Sequence, residues 1–365
     1  MAQDAIDGLN TYLVIGGEGF IGQALLKDLH KRYGDTALLY STSRTYRFPS
    51  ELWTWIQSDL TSVDSIRSVL HQTGAKTVFL PAASHFESTR KEAYKVNVDG
   101  TKTVIEACQQ AGVKRLIYTS SCSVTWKGQD VYDGDENEPI VPEKEHVTYY
   151  AASKAIGEQI VISANGIAGM YTTAIRPSGL IGPGDVNVMR NGLAVLKKGQ
   201  AFVQIGANTA PNDFDYIDNI TLGHMLAAEK LLNASNTDLP GPAAGEVFNI
   251  TAGDSLPMFT FWRKVWFEYN GYKAWYNIVI PLWLGMLLAY LNEQIALLLG
   301  KKASGITRYS VVYATTARRY NIDKAKRILG YEPVVGVEEG IKRAVQAYKE
   351  YEEREKMTSI GAKEK

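Results

Sequence analysis

Three glycines set three residues apart, Gly16, Gly19 and Gly22, stand where the apolar run Thr11 to Ile15 gives way to a helical pattern. In that pattern Phe20, Ile21, Ala24, Leu25 and Leu29 recur at intervals of one, three and four. No other stretch narrows the choice of fold as far. The first glycine allows a tight turn, the second lets backbone amides approach a pyrophosphate with no Cβ in the way, and the third lets helix and strand pack closely. The helix start then offers unpaired N–H groups and a positive dipole end to an anion. A glycine triplet alone is a weak signal, because glycines often serve only a turn. Its weight here comes from context, a strand ahead and a helix behind.

That context repeats. Strands are expected at 37–40, 77–80 and 116–118, with helical segments at 63–73 and 92–111 between them. Strands alternating with helices of ten to twenty residues describe right-handed crossovers and a buried parallel sheet, so the fold class is α/β, a doubly wound sheet of the Rossmann kind. Residues 1–180 are expected to form the dinucleotide-binding domain, with 214–251 returning to it. A smaller substrate-binding lobe is expected over 181–350, where turn clusters such as Gly182-Pro183-Gly184-Asp185 and Pro240-Gly241-Pro242 break the rhythm. Residues 318–348 read as helical and charged, and the Lys- and Glu-rich tail 351–365 is expected to fray.

Composition removes other classes. Thirty-nine basic residues balance thirty-nine acidic ones, which argues against a nucleic-acid partner. Two cysteines, Cys108 and Cys122, cannot build a disulfide framework, and with five scattered histidines they reach no zinc-ligand spacing, so no metal site is expected. The opening Met1 to Asp7 carries acids and no apolar core, unlike a cleaved signal peptide, so the expected location is the cytoplasmic side of the cell.

An NAD-selective site commonly ends its second strand with an acid that binds the ribose 2′-hydroxyl. This chain has Ser41-Thr42-Ser43-Arg44 there. Ser43 and Arg44 suit a 2′-phosphate better than a bare diol, so the reading leans to NADP over NAD. The plainer alternative makes Arg44 a solvated loop residue. Asp59-Leu60 could face the adenine edge, or Asp59 could cap the helix at 63–73.

Tyr150-Ala151-Ala152-Ser153-Lys154 puts a phenol and an ammonium on one helix face at i and i+4. A nearby lysine favours the phenolate and lowers its pKa towards working pH. Such a tyrosine can take the proton of an alcohol while hydride leaves its carbon, or return it in the reverse reduction. The pattern also occurs by chance on exposed helices, and its company gives it meaning. Thr119-Ser120-Ser121-Cys122-Ser123 follows the strand at 116–118, at the sheet edge where ligands lie. Ser121 is the chosen hydroxyl for orienting a substrate oxygen against Tyr150, with Ser123 as the fallback. Cys122 has no partnering histidine and reads as a packed small side chain.

Taken together, the glycine turn, Tyr118-Thr119-Ser120-Ser121, Tyr150-x-x-x-Lys154 running into Ala155-Ile156-Gly157-Glu158, and Ile175-Arg176-Pro177 leading to Gly182-Pro183-Gly184-Asp185 resemble an extended short-chain dehydrogenase/reductase. So does Asp213-Phe214-Asp215-Tyr216-Ile217-Asp218-Asn219. Gly245 to Thr251, the block beginning Ile280-Pro281-Leu282, and Arg319 to Pro333 are similar to the 3β-hydroxysteroid dehydrogenase branch. The resemblance implies Ser121, Tyr150 and Lys154 as a catalytic trio, and contact between the coenzyme's nicotinamide amide and the turn after Pro177. It also implies a homodimer. The implied reaction oxidises a 3β-hydroxyl on an apolar polycyclic terpenoid, with loss of carbon dioxide where a carboxylate sits on the neighbouring carbon. Ser41-Thr42 departs from the acid usual in the sterol enzymes of the branch and points to a specialised metabolite.

The most apolar stretch is 278–300. Its uninterrupted run, Ile278 to Leu291, is too short to span a bilayer, and Asn292-Glu293-Gln294 would lie inside any longer span. It could lie in a membrane interface, with Lys301-Lys302 near anionic head groups, or wall an apolar pocket. The first use would place the protein at the endoplasmic-reticulum membrane. Two other functions stay open: an NADPH-dependent reductase of a smaller ketone or aldehyde, and a catalytically silent dinucleotide sensor. A sensor would have no need of the full trio.

Overall fold

The computed structural model describes residues 10–185, 187–301, 303 and 305–361, so Met1 to Asp7 and Lys302 lie outside the described residues. Seven strands form one all-parallel sheet: β1 (Thr11–Ile15), β2 (Leu38–Ser43), β3 (Thr54–Gln57), β4 (Thr77–Leu80), β5 (Arg115–Thr119), β7 (Tyr171–Pro177) and β11 (Val247–Ile250). Their spatial order is β11-β7-β5-β4-β1-β2-β3, so the winding reverses beside β1. Ligands of such sheets lie outside the strand C-termini at that reversal.

Both faces of the sheet are covered, which is why the strands read as continuous apolar runs. Tyr12 and Val14 of β1 point into one core with Leu25, Leu26 and Leu29 of helix α1 (Phe20–Tyr33) and Ile220 and Ala227 of α7 (Ile217–Lys230). The alternate residues Leu13 and Ile15 point into a second core with Ile66 and Leu70 of α2 (Val63–Thr73) and Val104 and Cys108 of α4 (Gly100–Gln110). Ser62 caps α2 by accepting from the Ser65 N–H, and Gly74 closes it in the left-handed region. A short helix α3 (Arg90–Tyr94) runs into α4 through one π-helical turn, Lys95–Asp99. Helix α5 (Tyr149–Ser163) opens on Thr148, whose hydroxyl accepts from the Ala151 N–H.

The second lobe is built from short pieces. Strands β6 (Val131–Gly134), β8 (Gly179–Ile181), β10 (Pro211–Tyr216), β12 (Ser255–Pro257) and β14 (Arg318–Tyr320) make a small sheet around β10. Helices α6 (Asn187–Lys197) and α8 (Met258–Asn270) pack against it, α9 (Leu282–Leu298) packs on α10 (Arg308–Thr315), and β9 (Val203–Ile205) pairs with β13 (Ile278–Ile280).

The C-terminal reading needs two corrections. Residues 318–348 are not uniformly helical: they hold β14, α11 (Asp323–Leu329) and the start of α12 (Val337–Gly361). The charged tail does not fray from 351, because α12 continues to Gly361. Glu and Lys favour helix, and Glu352 is tied down by Lys197 Nζ at 2.7 Å and the Tyr269 hydroxyl at 2.6 Å.

Candidate active site

The three glycines of the turn meet different surroundings. Gly16 has φ +92°, and a Cβ there would lie 2.8 Å from the backbone of Ala82, at the end of β4. A Cβ on Gly22 would lie 2.3 Å from the Gly16 carbonyl oxygen. Both glycines are demanded by the turn itself. Gly19 differs: it is exposed, and a Cβ would meet only the Gly16 oxygen, at 3.2 Å. Its missing side chain leaves open the outer side of the turn. Gly19 is also the N-cap of α1 and brings no side-chain cap, unlike Ser62 and Thr148. The first-turn N–H groups of α1 therefore remain available to an outside anion.

A cleft opens from this turn across the C-terminal ends of β4, β5 and β7. Ile21, Pro81, Ala83, Thr119, Ser120, Ser121, Tyr150, Lys154, Pro177, Ser178 and Leu180 line it. Five residues singled out from the sequence, Ile21, Ser121, Tyr150, Lys154 and Pro177, thus meet at one place. Tyr150 and Lys154 share a face of α5, and both reach the cleft. Ser121 is half-buried, and its Oγ accepts from the Ser123 hydroxyl at 2.9 Å and the Ser123 N–H at 3.2 Å. Ser123 therefore backs Ser121 rather than facing the opening with it. The buried Ser120 Oγ has no protein partner, so a donor is left over inside the cleft.

Lys154 is held from several sides. Its ammonium donates to the Thr119 carbonyl and lies 3.9 Å from the centre of the Tyr118 ring. Burial pushes its pKa down to about 7, against the pull of the Glu158 carboxylate. Burial likewise raises the Tyr150 phenol to about 12. The lysine was expected to make this phenol acidic. In the chain by itself desolvation outweighs that effect, because the lysine is also short of its full charge.

Below the cleft, Arg176 of β7 and Glu158 of α5 form a two-point ion pair, with Nη2 2.6 Å from Oε1 and Nε 2.9 Å from Oε2. The Thr119 hydroxyl meets His224 Nε2 at 2.7 Å, and His224 Nδ1 lies 2.7 Å from the Ile220 carbonyl. A carbonyl can only accept, so the ring proton belongs on Nδ1 and Nε2 accepts from Thr119. Cys122 is buried with its thiol on the Arg176 carbonyl, and burial raises its pKa well above the ordinary thiol value. That is a packed side chain, as expected.

The remaining candidates lie around the turn and the far strand edge. Phe20 packs beside Gly184. The Ser43 hydroxyl donates to the Thr45 carbonyl and accepts from the Trp55 indole N–H. Arg44 is exposed on the loop after β2. Asp59 accepts from the N–H and hydroxyl of Thr61, and the first of these chiefly holds its carboxyl below the usual range, with Lys95 and Arg44 adding to the effect. Ser62 and not Asp59 is therefore the cap of the helix at 63–73. Leu60 packs where a Cβ on Gly100 would stand.

Sequence reasoning passed over three polar supports. Asn97, in the π-helical turn, donates to Ser153 Oγ at 2.9 Å and accepts from the Ser84 N–H at 2.9 Å, joining α5 to the loop after β4. Asp215 accepts from the N–H groups of Ser178 and Ala252 and fixes the turn after Pro177. Glu18, inside the glycine turn, is buried and bonded to the loop after β2. Only Asp215, lying in a quoted motif, had any signal.

The open first-turn N–H groups after Gly19, the unpartnered Ser120 donor and the clustered Ser121, Tyr150 and Lys154 fit a pyrophosphate-linked dinucleotide beside an alcohol or ketone. The fold and this site define an NAD(P)-dependent oxidoreductase of the extended short-chain dehydrogenase/reductase class. The chain belongs to the 3-beta hydroxysteroid dehydrogenase/isomerase family, whose model matches residues 13–281. It is 36% identical over 340 residues to the decarboxylating sterol-4-alpha-carboxylate 3-dehydrogenase of Schizosaccharomyces pombe, a match spanning 92% of this chain and 97% of that protein. The Mus musculus protein of the same description is 33% identical over 340 residues, spanning 92% and 90%. Among solved structures, gox2253 superposes with a TM-score of 0.74 at 23% identity, over 94% of this chain and 98% of that one. The Bordetella bronchiseptica enzyme WbmH, in complex with NAD+, gives 0.70 at 14% identity over 94% and 99%. These two likenesses bear on the fold alone.

Proposed function

We propose that the protein oxidises the 3β-hydroxyl of a sterol or related terpenoid to the ketone, and that a carboxylate on the neighbouring carbon is then lost as carbon dioxide. The observation that carries this reading is the meeting of Ser121, Tyr150 and Lys154 in one cleft beside the open glycine turn, in a chain of this family. Ser121, freed to donate because Ser123 donates to it, orients the substrate oxygen. Tyr150 takes the hydroxyl proton. Lys154, anchored by Thr119 and Tyr118, supplies positive charge to the phenolate as it forms. The glycine turn of Gly16, Gly19 and Gly22, with Ile21 and Pro177, would hold the dinucleotide, which would supply the hydride acceptor.

Loss of carbon dioxide then needs no further catalyst of its own. The bond to the carboxylate breaks, its electron pair passes into the ketone, and the resulting enolate oxygen takes a proton. Tyr150, protonated by the first step, and Ser121 are the donors for that oxygen. Residues 1–180 with 214–251 serve the coenzyme in this reading, and 181–350 the substrate.

Incubation with NAD+ or NADP+ and 3β-hydroxy terpenoids, with and without a 4-carboxylate, tests the reading by product mass. Loss of two hydrogens, followed by carbon dioxide only in the carboxylated substrates, is expected. Activity confined to small ketones or aldehydes would defeat it. In Tyr150→Phe turnover should fall by roughly 10²–10⁴ with coenzyme binding kept; unchanged turnover would remove Tyr150 from its role.

The same reading takes α9 to the surface of a lipid bilayer. Among the described residues no helix is long and apolar enough to cross a membrane. Trp283, Leu287, Leu291, Ile295 and Leu298 are nevertheless exposed on α9, with Trp275 91% exposed ahead of it, and only Gly285 and Ala289 are buried. Such side chains suit an interfacial helix better than a pocket wall. An endoplasmic-reticulum location and pairing into a homodimer belong to this proposal. Liposome flotation of the intact chain against Leu287→Glu/Leu288→Glu tests the contact, and equal flotation of both would end it.

A further inference from the structure

We propose that Glu18 selects the coenzyme, its carboxylate taking the part of the missing acid at the end of β2 and favouring NAD over NADP. This rests on the dinucleotide reading of the site above and runs against the lean to NADP drawn from Ser43 and Arg44. The adenine ribose of a dinucleotide on this fold lies at the C-terminal end of the second strand, next to the glycine turn. Glu18 occupies the seam between those two elements and is 8% exposed. Its Oε2 accepts from the N–H groups of Arg47 and Phe48, both at 2.9 Å, and its Oε1 faces Ser41 Oγ at 3.5 Å.

Two consequences follow from those bonds. The adjacent N–H groups of Arg47 and Phe48 would make a ready cradle for a phosphate, and the protein's own carboxylate already fills it. The hydroxyls that suggested a 2′-phosphate are also spent: Ser41 on Glu18, Thr42 on Ser58, and Ser43 on Thr45 and Trp55. A 2′-phosphate would therefore bring its charge against a fixed carboxylate with those donors occupied, whereas a diol could donate to that carboxylate. Arg44, the residue that suggested the phosphate, is an exposed loop residue.

Calorimetric titration of the full chain with NAD+, NADP+, 5′-AMP and 2′,5′-ADP tests this without reference to turnover. The wild type should bind NAD+ about tenfold or more tightly than NADP+, with the fragments ranked alike. Glu18→Gln, which keeps the shape and one acceptor, should narrow that ratio to about threefold or less by strengthening NADP+. Arg44→Ala should leave the wild-type ratio in place. Tighter wild-type binding of NADP+, or an unchanged ratio in Glu18→Gln, overturns the role of Glu18. Should that variant not fold, the wild-type ratio and the charge-keeping Glu18→Asp still decide, the latter expected to retain the NAD preference. Failure of all four ligands to bind the wild type would bring down the dinucleotide site itself.

Discussion

The ammonium of Lys154 lies 3.9 Å from the centre of the Tyr118 ring, so the strand that ends at the cleft also carries the aromatic face on which helix α5 rests its charge. The contact joins β5 to α5 through a group that burial holds at about 7. Among the protein's many ionisable groups, this one should be visible in stability.

In the unfolded chain Lys154 keeps its proton up to about 10.4, so between about 7 and that value the unfolded state binds the extra proton. Its folded pKa is depressed, so this residue's contribution to stability improves as pH rises through that window. Lys154→Met should be more stable than wild type by up to the order of 4 kcal/mol below pH 7, with the gap closing towards pH 10. Urea midpoints of the coenzyme-free proteins across that range would show it. A gap independent of pH would mean that the lysine is not desolvated.

His224 works in the same sense at lower pH. Burial, opposed by the Ile220 carbonyl, lowers its pKa to about 4 from the ordinary 6.5. Between those values the unfolded chain takes up a proton that the folded one refuses, so stability is lost as pH falls through them. Relative to His224→Gln, the wild type should lose roughly 3 kcal/mol between pH 6.5 and 4. Parallel acid-denaturation curves for the two proteins would count against it.

Gly22→Ala and Gly19→Ala should fail in different ways. The first drives a methyl to 2.3 Å from the Gly16 carbonyl and should damage folding itself, lowering the melting temperature sharply. The second fits the chain with little adjustment and should leave the melt near wild type while weakening dinucleotide binding by tenfold or more, roughly the cost of one displaced phosphate contact. Thermal melts with and without NAD+ would separate them. Equal loss of stability in both would refute the distinction.

The ion pair of Glu158 and Arg176 is 1% and 3% exposed at the side chains. Removing one partner leaves a buried charge alone, so Glu158→Leu or Arg176→Met should each cost about 3–5 kcal/mol. The double change Glu158→Leu/Arg176→Met should cost clearly less than the two single losses added together. Chemical denaturation of the four proteins completes the cycle, and strict additivity would show that the pair is not coupled.

Much of this was legible because the sheet is buried on both faces. Thr11 to Ile15 and Thr77 to Leu80 are plain apolar runs, and the helix at 63–73 is found with its predicted ends because Ser62 and Gly74 cap it. β7 hid itself: Thr172, Thr173 and Arg176 are buried polar residues whose partners come from distant segments, so no periodic apolar signal marks the strand. That Tyr150 and Lys154 share the cleft could be read because their spacing is local, and Ser121 because it follows a strand end. Asn97, His224 and Glu18 could not, since each acquires its meaning from a partner across the fold.

The small sheet of the second lobe draws its strands from positions 131, 179, 211, 255 and 318 onwards, and between them the chain passes back to the large sheet at β7 and β11. The lobe around the small sheet is thus braided into the one around the large sheet. It has no single cut points for recombination: a chimera that exchanged only 181–350 between relatives would import β10, β12 and β14 and leave β6 and most of β8 behind, while also taking away β11. Exchange of this lobe would therefore have to carry 131–134 and 179–181 along with it.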